Sequence, residues 1–210
     1  ESLVTRHVYS LGDRRSEVSL FDLVKLAMRK RPDYIVVGEV RGEEAYVLFQ
    51  AAATGHGCMC TMHADSLESA VKRLTSPPMN VSPTYVPLMN CVLVLRRIDY
   101  PDRIRRKVVS VYEVRGFDDY VKVFEWSPSS DVFKPTDLSV LLSSSFLLKS
   151  VAEEKGWSLD RLRADLDRRL HFFEDLRRDG VKEYDDVVSR LRFFYYDRVF
   201  GSLEASFRGA

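Results

Sequence analysis

Within residues 31–64 a glutamate, an arginine and two histidines are spaced so that they can act together on one ligand. Glu39 follows the apolar run Tyr34-Ile35-Val36-Val37 and Gly38. A run this short reads as a strand buried on both faces, the kind found in parallel sheets. A carboxylate at the carboxyl end of such a strand lies where open α/β sheets bind ligands. There it can take a proton from an attacking nucleophile, an effect of typically about 10²–10⁴-fold. A second short strand over residues 58–62 ends at His63, so one unit sends Glu39 and His63 to the same sheet edge. An imidazole N–H at that edge can donate to an anionic oxygen. His56 stands in the turn before the second strand, and Arg41 two residues beyond Glu39. Each also has a plainer reading. Glu39 can form a structural ion pair and His63 can be a satisfied core histidine. His56 can hold its turn, and Arg41 can pair with Glu43 or Glu44.

The wording of this stretch is more specific than its spacing. VVGEVRG resembles the Walker B motif, and TGHGCMCTMHAD the His box, of the secretion ATPases, the type II and type IV branch of the P-loop NTPases. GEVRGEEA is most similar to the archaeal branch, which powers archaella, pili and secretion. The resemblance implies an α/β fold: part of a RecA-like P-loop core, with a parallel sheet, flanking helices and a β-hairpin, then a small helical unit. It implies ATP and Mg²⁺ as cofactors. It also implies a homohexameric ring, at the cytoplasmic face of a membrane, driving a polytopic membrane partner. By the same resemblance Glu39 is the general base, His63 and His56 are the His-box histidines, with His63 sensing the γ-phosphate, and Arg41 orients Glu39 or contacts a phosphate. Arg6 lies where the family carries arginines that reach phosphates.

One departure bears on all of this. No G-x-x-x-x-G-K-[ST] loop occurs in the 210 residues, and the family needs that loop to hold the nucleotide phosphates and Mg²⁺. Many P-loop enzymes place a magnesium-holding Asp just before the catalytic Glu, whereas this chain has Gly38. No metal ligand is therefore expected among these residues. The expectation is the C-terminal part of a longer motor, inactive by itself. A natural P-loop-less ring subunit or adaptor is the alternative.

The elements that position these residues follow from local pattern. Ser19-Leu-Phe-Asp22 predicts a capped helix whose buried face holds Leu20, Leu23, Val24 and Ala27, stopped by Pro32. A second helix starts near Gly42, buries Ala45, Leu48, Phe49 and Ala52, and ends at Gly55. Asp65 and Ser66 offer an N-cap for a third, with Leu67, Ala70, Val71 and Leu74 on its inner face. The proline-rich residues 76–87 read as an ordered surface loop. A strand over 91–95 and a hairpin over 108–114 and 120–126 follow. A Ser, Pro and Asp cluster then predicts a boundary, with domains over 1–127 and 128–210. The second domain reads as helices, with Leu159, Leu162, Leu166, Leu170, Phe173 and Leu176 forming one apolar stripe.

Composition adds limits. The charge balance, 32 basic against 31 acidic residues with a net charge of +1, gives no reason to expect nucleic acid as a partner. No apolar run approaches the roughly 18–20 residues a membrane span needs. Cys58, Cys60 and Cys91 lie in apolar runs and read as buried, reduced thiols of a cytosolic protein.

Overall fold

The structure, a computed structural model, describes residues 1–6, 17–100 and 103–207, and side chains among them as far as residue 196. His7 and residues 11–16, part of a polar run over 11–17 that reads as a loop, lie outside the described residues. Two compact units are present, Glu1–Leu147 and Leu148–Ala210.

The first unit opens with α1 (Leu20–Lys30), and its start is the predicted capping box. Ser19 Oγ accepts from the Asp22 N–H at 3.2 Å, and Asp22 accepts from the Ser19 N–H at 3.2 Å. The strand β1 (Tyr34–Val37) follows, then α2 (Glu44–Ala53), β2 (Gly57–Cys60) and α3 (Leu67–Thr75). β1 and β2 pair in parallel, with Tyr34 opposite Gly57 and Val37 opposite Cys60. The Tyr34 ring lies so close to Gly57 that a Cβ there would meet ring carbon at 2.5 Å, so a side chain at 57 would have to displace that ring.

Ile35 and Val37 pack with Val24 of α1 and Ala45, Val47, Leu48, Phe49 and Ala51 of α2. The other face of β1 is open, with Val36 70% exposed. The expected burial on both faces is therefore not realised. Helices α1 and α2 cover one side, and no described element covers the other. Cys60, like Cys91, is exposed and Cys58 half-buried, against the expectation of three buried thiols.

After α3 the proline-rich segment turns inward rather than crossing the surface. Met79, Val81 and Val86 are among the most buried side chains. A 3₁₀ helix, Pro83–Met89, carries Val86 into contact with Leu67 and Val71 of α3. The prolines exclude regular α-helix, as predicted, but the apolar residues between them fill the core.

The expected hairpin is part of a larger sheet. β3 (Cys91–Asp99), β4 (Ile104–Val114), β5 (Tyr120–Ser127) and β6 (Val132–Lys134) form an antiparallel meander in that order. β6 pairs with β5, Glu125 opposite Lys134, so the chain after residue 127 continues the first unit's sheet. The short helix α4 (Leu138–Ser144) then leads to α5 (Phe146–Glu154), and the division between the units falls within α5. Glu113, a buried residue of β4, accepts from Ser145 Oγ at 2.5 Å and from the N–H groups of Phe146 and Leu147 at 2.9 and 3.1 Å.

The second unit carries α6 (Leu159–Arg178) and α7 (Tyr184–Phe207). Ser158 caps α6, accepting from the Arg161 N–H at 3.2 Å. The two helices pair through Phe172 and Phe194, ring centroids 4.6 Å apart, and through Arg169 donating to the Tyr195 hydroxyl at 3.3 Å. Of the predicted stripe only Leu162 is fully buried, while Leu159, Leu170 and Phe173 are exposed. A pair of helices has too few neighbours to enclose the whole stripe.

Candidate functional site

The site lies in the first unit, where β1 and β2 end side by side. Two further bonds extend their pairing past the strands. The Val40 N–H donates to the Thr61 carbonyl at 3.0 Å, and Thr61 Oγ1 donates to the Gly38 carbonyl at 2.5 Å. Val40 is 1% exposed and pins the backbone between Glu39 and Arg41. The next turn is held by Glu44, whose Oε1 accepts from the N–H of Arg41 at 2.6 Å and of Gly42 at 2.9 Å.

This framework brings together three of the predicted residues. Arg41 Nη2 donates to Glu39 Oε2 at 2.5 Å, and His63 Nε2 lies 3.5 Å from Glu39 Oε1. Glu39 is 27% exposed at its side chain, against 72% for Arg41 and 84% for His63, so the carboxylate is the sheltered member. Among the nearby carboxylates, Arg41 meets two in different ways. Its guanidinium goes to Glu39, and Glu44 takes its backbone N–H.

The electrostatics follow from this geometry. The hydrogen bond from Arg41 holds the Glu39 carboxyl below its ordinary range. Partial burial opposes this, and the charges of Arg41, His63 and Arg73 support it. Arg41 is raised in turn by the same bond. A carboxyl lowered on folding stabilises the fold above the ordinary carboxylate range, and that contribution is lost as pH falls through its lowered value. Replacing Arg41 by Met is accordingly expected to move the Glu39 titration midpoint upward, read from its ¹³C carboxyl resonance. An unmoved midpoint would show that the Arg41 bond does not set it.

Arg73 is a site residue that sequence pattern does not single out. It stands on α3, beyond the two motifs, and its Nη1 donates to the main-chain carbonyl of His63. Arg41, Lys72 and Arg73 line a shallow groove of about 220 Å³ with Ser76, Pro77, Pro78 and Met79. The Lys72-Arg73 pair is the available signal, but a basic pair in the last turn of a helix is explained equally well by its dipole. Thr61 and Glu44, which fix the backbone here, are likewise not distinguished by pattern.

The other predicted residues sit elsewhere. His56 lies at the opposite end of β2, where its Nδ1 is 3.2 Å from both the Ala51 carbonyl and Thr54 Oγ1, holding the turn from α2 into β2. Arg6 lies on an isolated antiparallel bridge with Val18, with both backbone bonds at 3.0 Å.

A sheltered carboxylate with an imidazole beside it, ringed by guanidinium groups, suits an anionic ligand with a proton to lose. Glu39 is the carboxylate at the strand ends, and its oxygens face Arg41 and His63. No group of three His, Cys, Asp or Glu residues able to hold a metal occurs among the described residues. A Cβ at Gly38 would meet nothing within 4 Å, so space alone does not exclude an aspartate there. Phosphate oxygens at this edge would meet the donors of Arg41 and His63.

A parallel βαβ unit with a carboxylate and a histidine at its carboxyl edge places both where open α/β sheets bind ligands. Residues 3–96 match the family model described as Type II/IV secretion system protein. An uncharacterized protein of Methanocaldococcus jannaschii, MJ1287, is 36% identical over 171 residues, covering 79% of this chain and 61% of that protein. The type IV pilus assembly ATPase PilB of Thermus thermophilus is 32% identical over 101 residues, 42% of this chain and 11% of that one. The X-ray structure of the Yersinia pseudotuberculosis ATPase DotB aligns with a TM-score of 0.37 and 15% identity, over 82% of this chain and 40% of that one. Both motifs lie within the stretch that is similar to the Type II/IV secretion system protein family. The chain spans about three fifths of the length of its archaeal relative MJ1287. No described helix is long and apolar enough to cross a membrane.

Proposed function

We propose that this chain supplies the water-activating carboxylate and a phosphate-contacting histidine of a motor ATPase for protein secretion or for assembly of a pilus or archaellum. The convergence of Glu39 and His63 at 3.5 Å, at the carboxyl end of a parallel strand pair, carries the reading. In this reading the γ-phosphate of ATP faces the edge lined by His63 and Arg41. Glu39 orients a water in line with the phosphorus and takes its proton as the bond forms. His63 Nε2, when protonated, donates to a phosphate oxygen and loses that partner after hydrolysis. Arg41 keeps Glu39 ionised until the phosphate competes for its guanidinium. The phosphate-binding loop and the Mg²⁺ ligands lie outside these residues, so the chain alone is expected to be inactive. His56 and Arg6 act from outside the Glu39 cluster, His56 through its turn and Arg6 through a phosphate reached in the assembled enzyme. The working form is a homohexamer at the inner face of the membrane, coupled to a polytopic membrane protein.

The test is phosphate release from Mg·ATP by the protein with an upstream segment that carries a phosphate-binding loop, beside the 210-residue chain. Turnover by the longer protein and none by the chain is the expected result. No turnover by either, with lipid and the membrane partner present, would favour a non-catalytic ring subunit or adaptor.

A further inference from the structure

Arg73 connects helix α3 to the reacting edge. Its side chain donates to the main-chain carbonyl of His63, and the His63 ring lies 3.5 Å from Glu39. α3 is a firm base for that contact. Ser66 caps it, accepting from the Ser69 N–H at 3.2 Å, and Leu67, Ala70, Val71 and Leu74 are buried beneath it. His63, by contrast, lies beyond the end of β2, on an exposed segment outside the strand ladder. The segment that bears the imidazole is thus tied sideways to a packed helix by one guanidinium.

We propose that Arg73 is a positioning residue for the Glu39–His63 pair. By holding the His63 main chain, it sets where the imidazole stands relative to the carboxylate and to a bound phosphate. The inference rests on the function proposed above. Arg73 also contributes positive charge toward Glu39, alongside Arg41 and His63, so its loss has an electrostatic consequence as well as a geometric one. The connection further means that a shift of α3 is transmitted to the His63 segment.

Arg73→Met removes both the donor and the charge, whereas Arg73→Lys keeps the charge and can remake one bond to the carbonyl. In the protein with its phosphate-binding loop, Arg73→Met is expected to lower kcat by about 10- to 100-fold, the scale on which displacement of reacting groups acts. KM for Mg·ATP is expected to change much less. The acidic limb of the kcat profile should move to higher pH in Arg73→Met, and Arg73→Lys should restore the limb and part of kcat. In the 210-residue chain itself, with no nucleotide present, the His63 ring resonance should shift and the Glu39 carboxyl midpoint should rise in Arg73→Met but not in Arg73→Lys.

A loss expressed mainly in KM would make Arg73 a phosphate ligand and overturn the inference. So would unchanged resonances of His63 and Glu39 in Arg73→Met. If the wild-type protein fails to turn over ATP while those resonances move as expected, the ATPase reading falls and the positioning contact stands.

Discussion

Replacing Glu39 by glutamine is expected to lower ATP turnover by about 10²–10⁴-fold in the protein that includes a phosphate-binding loop, with Mg·ATP still bound. The substitution keeps the size of the side chain and an oxygen that can accept from Arg41. It removes the basicity together with the negative charge that faces Arg41 and His63. Glu39 stands at the end of β1 on a backbone held by Val40, Thr61 and Glu44, none of which depends on its charge. The fold should therefore survive, and thermal unfolding beside the turnover assay checks that it does. Turnover in Glu39→Gln equal to wild type would remove Glu39 from the mechanism. The bond from Arg41 gives the assay a second feature. A carboxyl held low stays ionised at acidic pH, so the wild-type acidic limb should lie below that of a variant whose Arg41 has been replaced.

The second large effect concerns stability. Glu113→Ala is expected to destabilise the first unit by about 3 kcal/mol, because it leaves a buried hydroxyl and two N–H groups without their acceptor. Glu113 is 5% exposed and serves Ser145 Oγ and the first two N–H groups of α5. Its carboxylate also faces the positive end of that helix's dipole. Glu113→Gln keeps one acceptor oxygen and should cost clearly less. Urea unfolding followed by Trp126 fluorescence reads the first unit, with Trp157 of the second unit replaced by Phe so that Trp126 reports alone. A loss below about 1 kcal/mol in Glu113→Ala would mean that water takes over the acceptor role.

Much of the candidate site is legible in the amino-acid sequence. The ends of α1 and α3, the strand of Tyr34 to Val37 and the placing of Glu39 and His63 at one edge all rest on local rules: a side chain that caps its own helix, a period of burial, a turn residue in sequence with its strand. The pairing of Val37 with Cys60 makes neighbours of the two strand ends. The chemistry comes from motif wording, because the order of VVGEVRG and TGHGCMCTMHAD is more specific than any single residue in them.

What sequence leaves undecided is the identity of the partners. Arg41 could pair with Glu39, Glu43 or Glu44, and only the turn held by Glu44 directs its guanidinium to Glu39. Arg73 is ten residues beyond His63, on α3, and its meeting with the His63 carbonyl depends on how the chain turns between them. Glu113 looks like one more strand residue until α5 begins beside it. The proline-rich segment reads as surface because prolines break helices, yet Met79, Val81 and Val86 have a core to fill. Val36 reads as buried because its run is apolar throughout, and it is open because only one face of β1 has helices against it. Residue types and short-range spacing thus determined the capped helices, the short parallel strands and which candidate residues stand at their ends. The tertiary structure alone decided which faces are covered and which charges meet, since both depend on elements far apart in the chain.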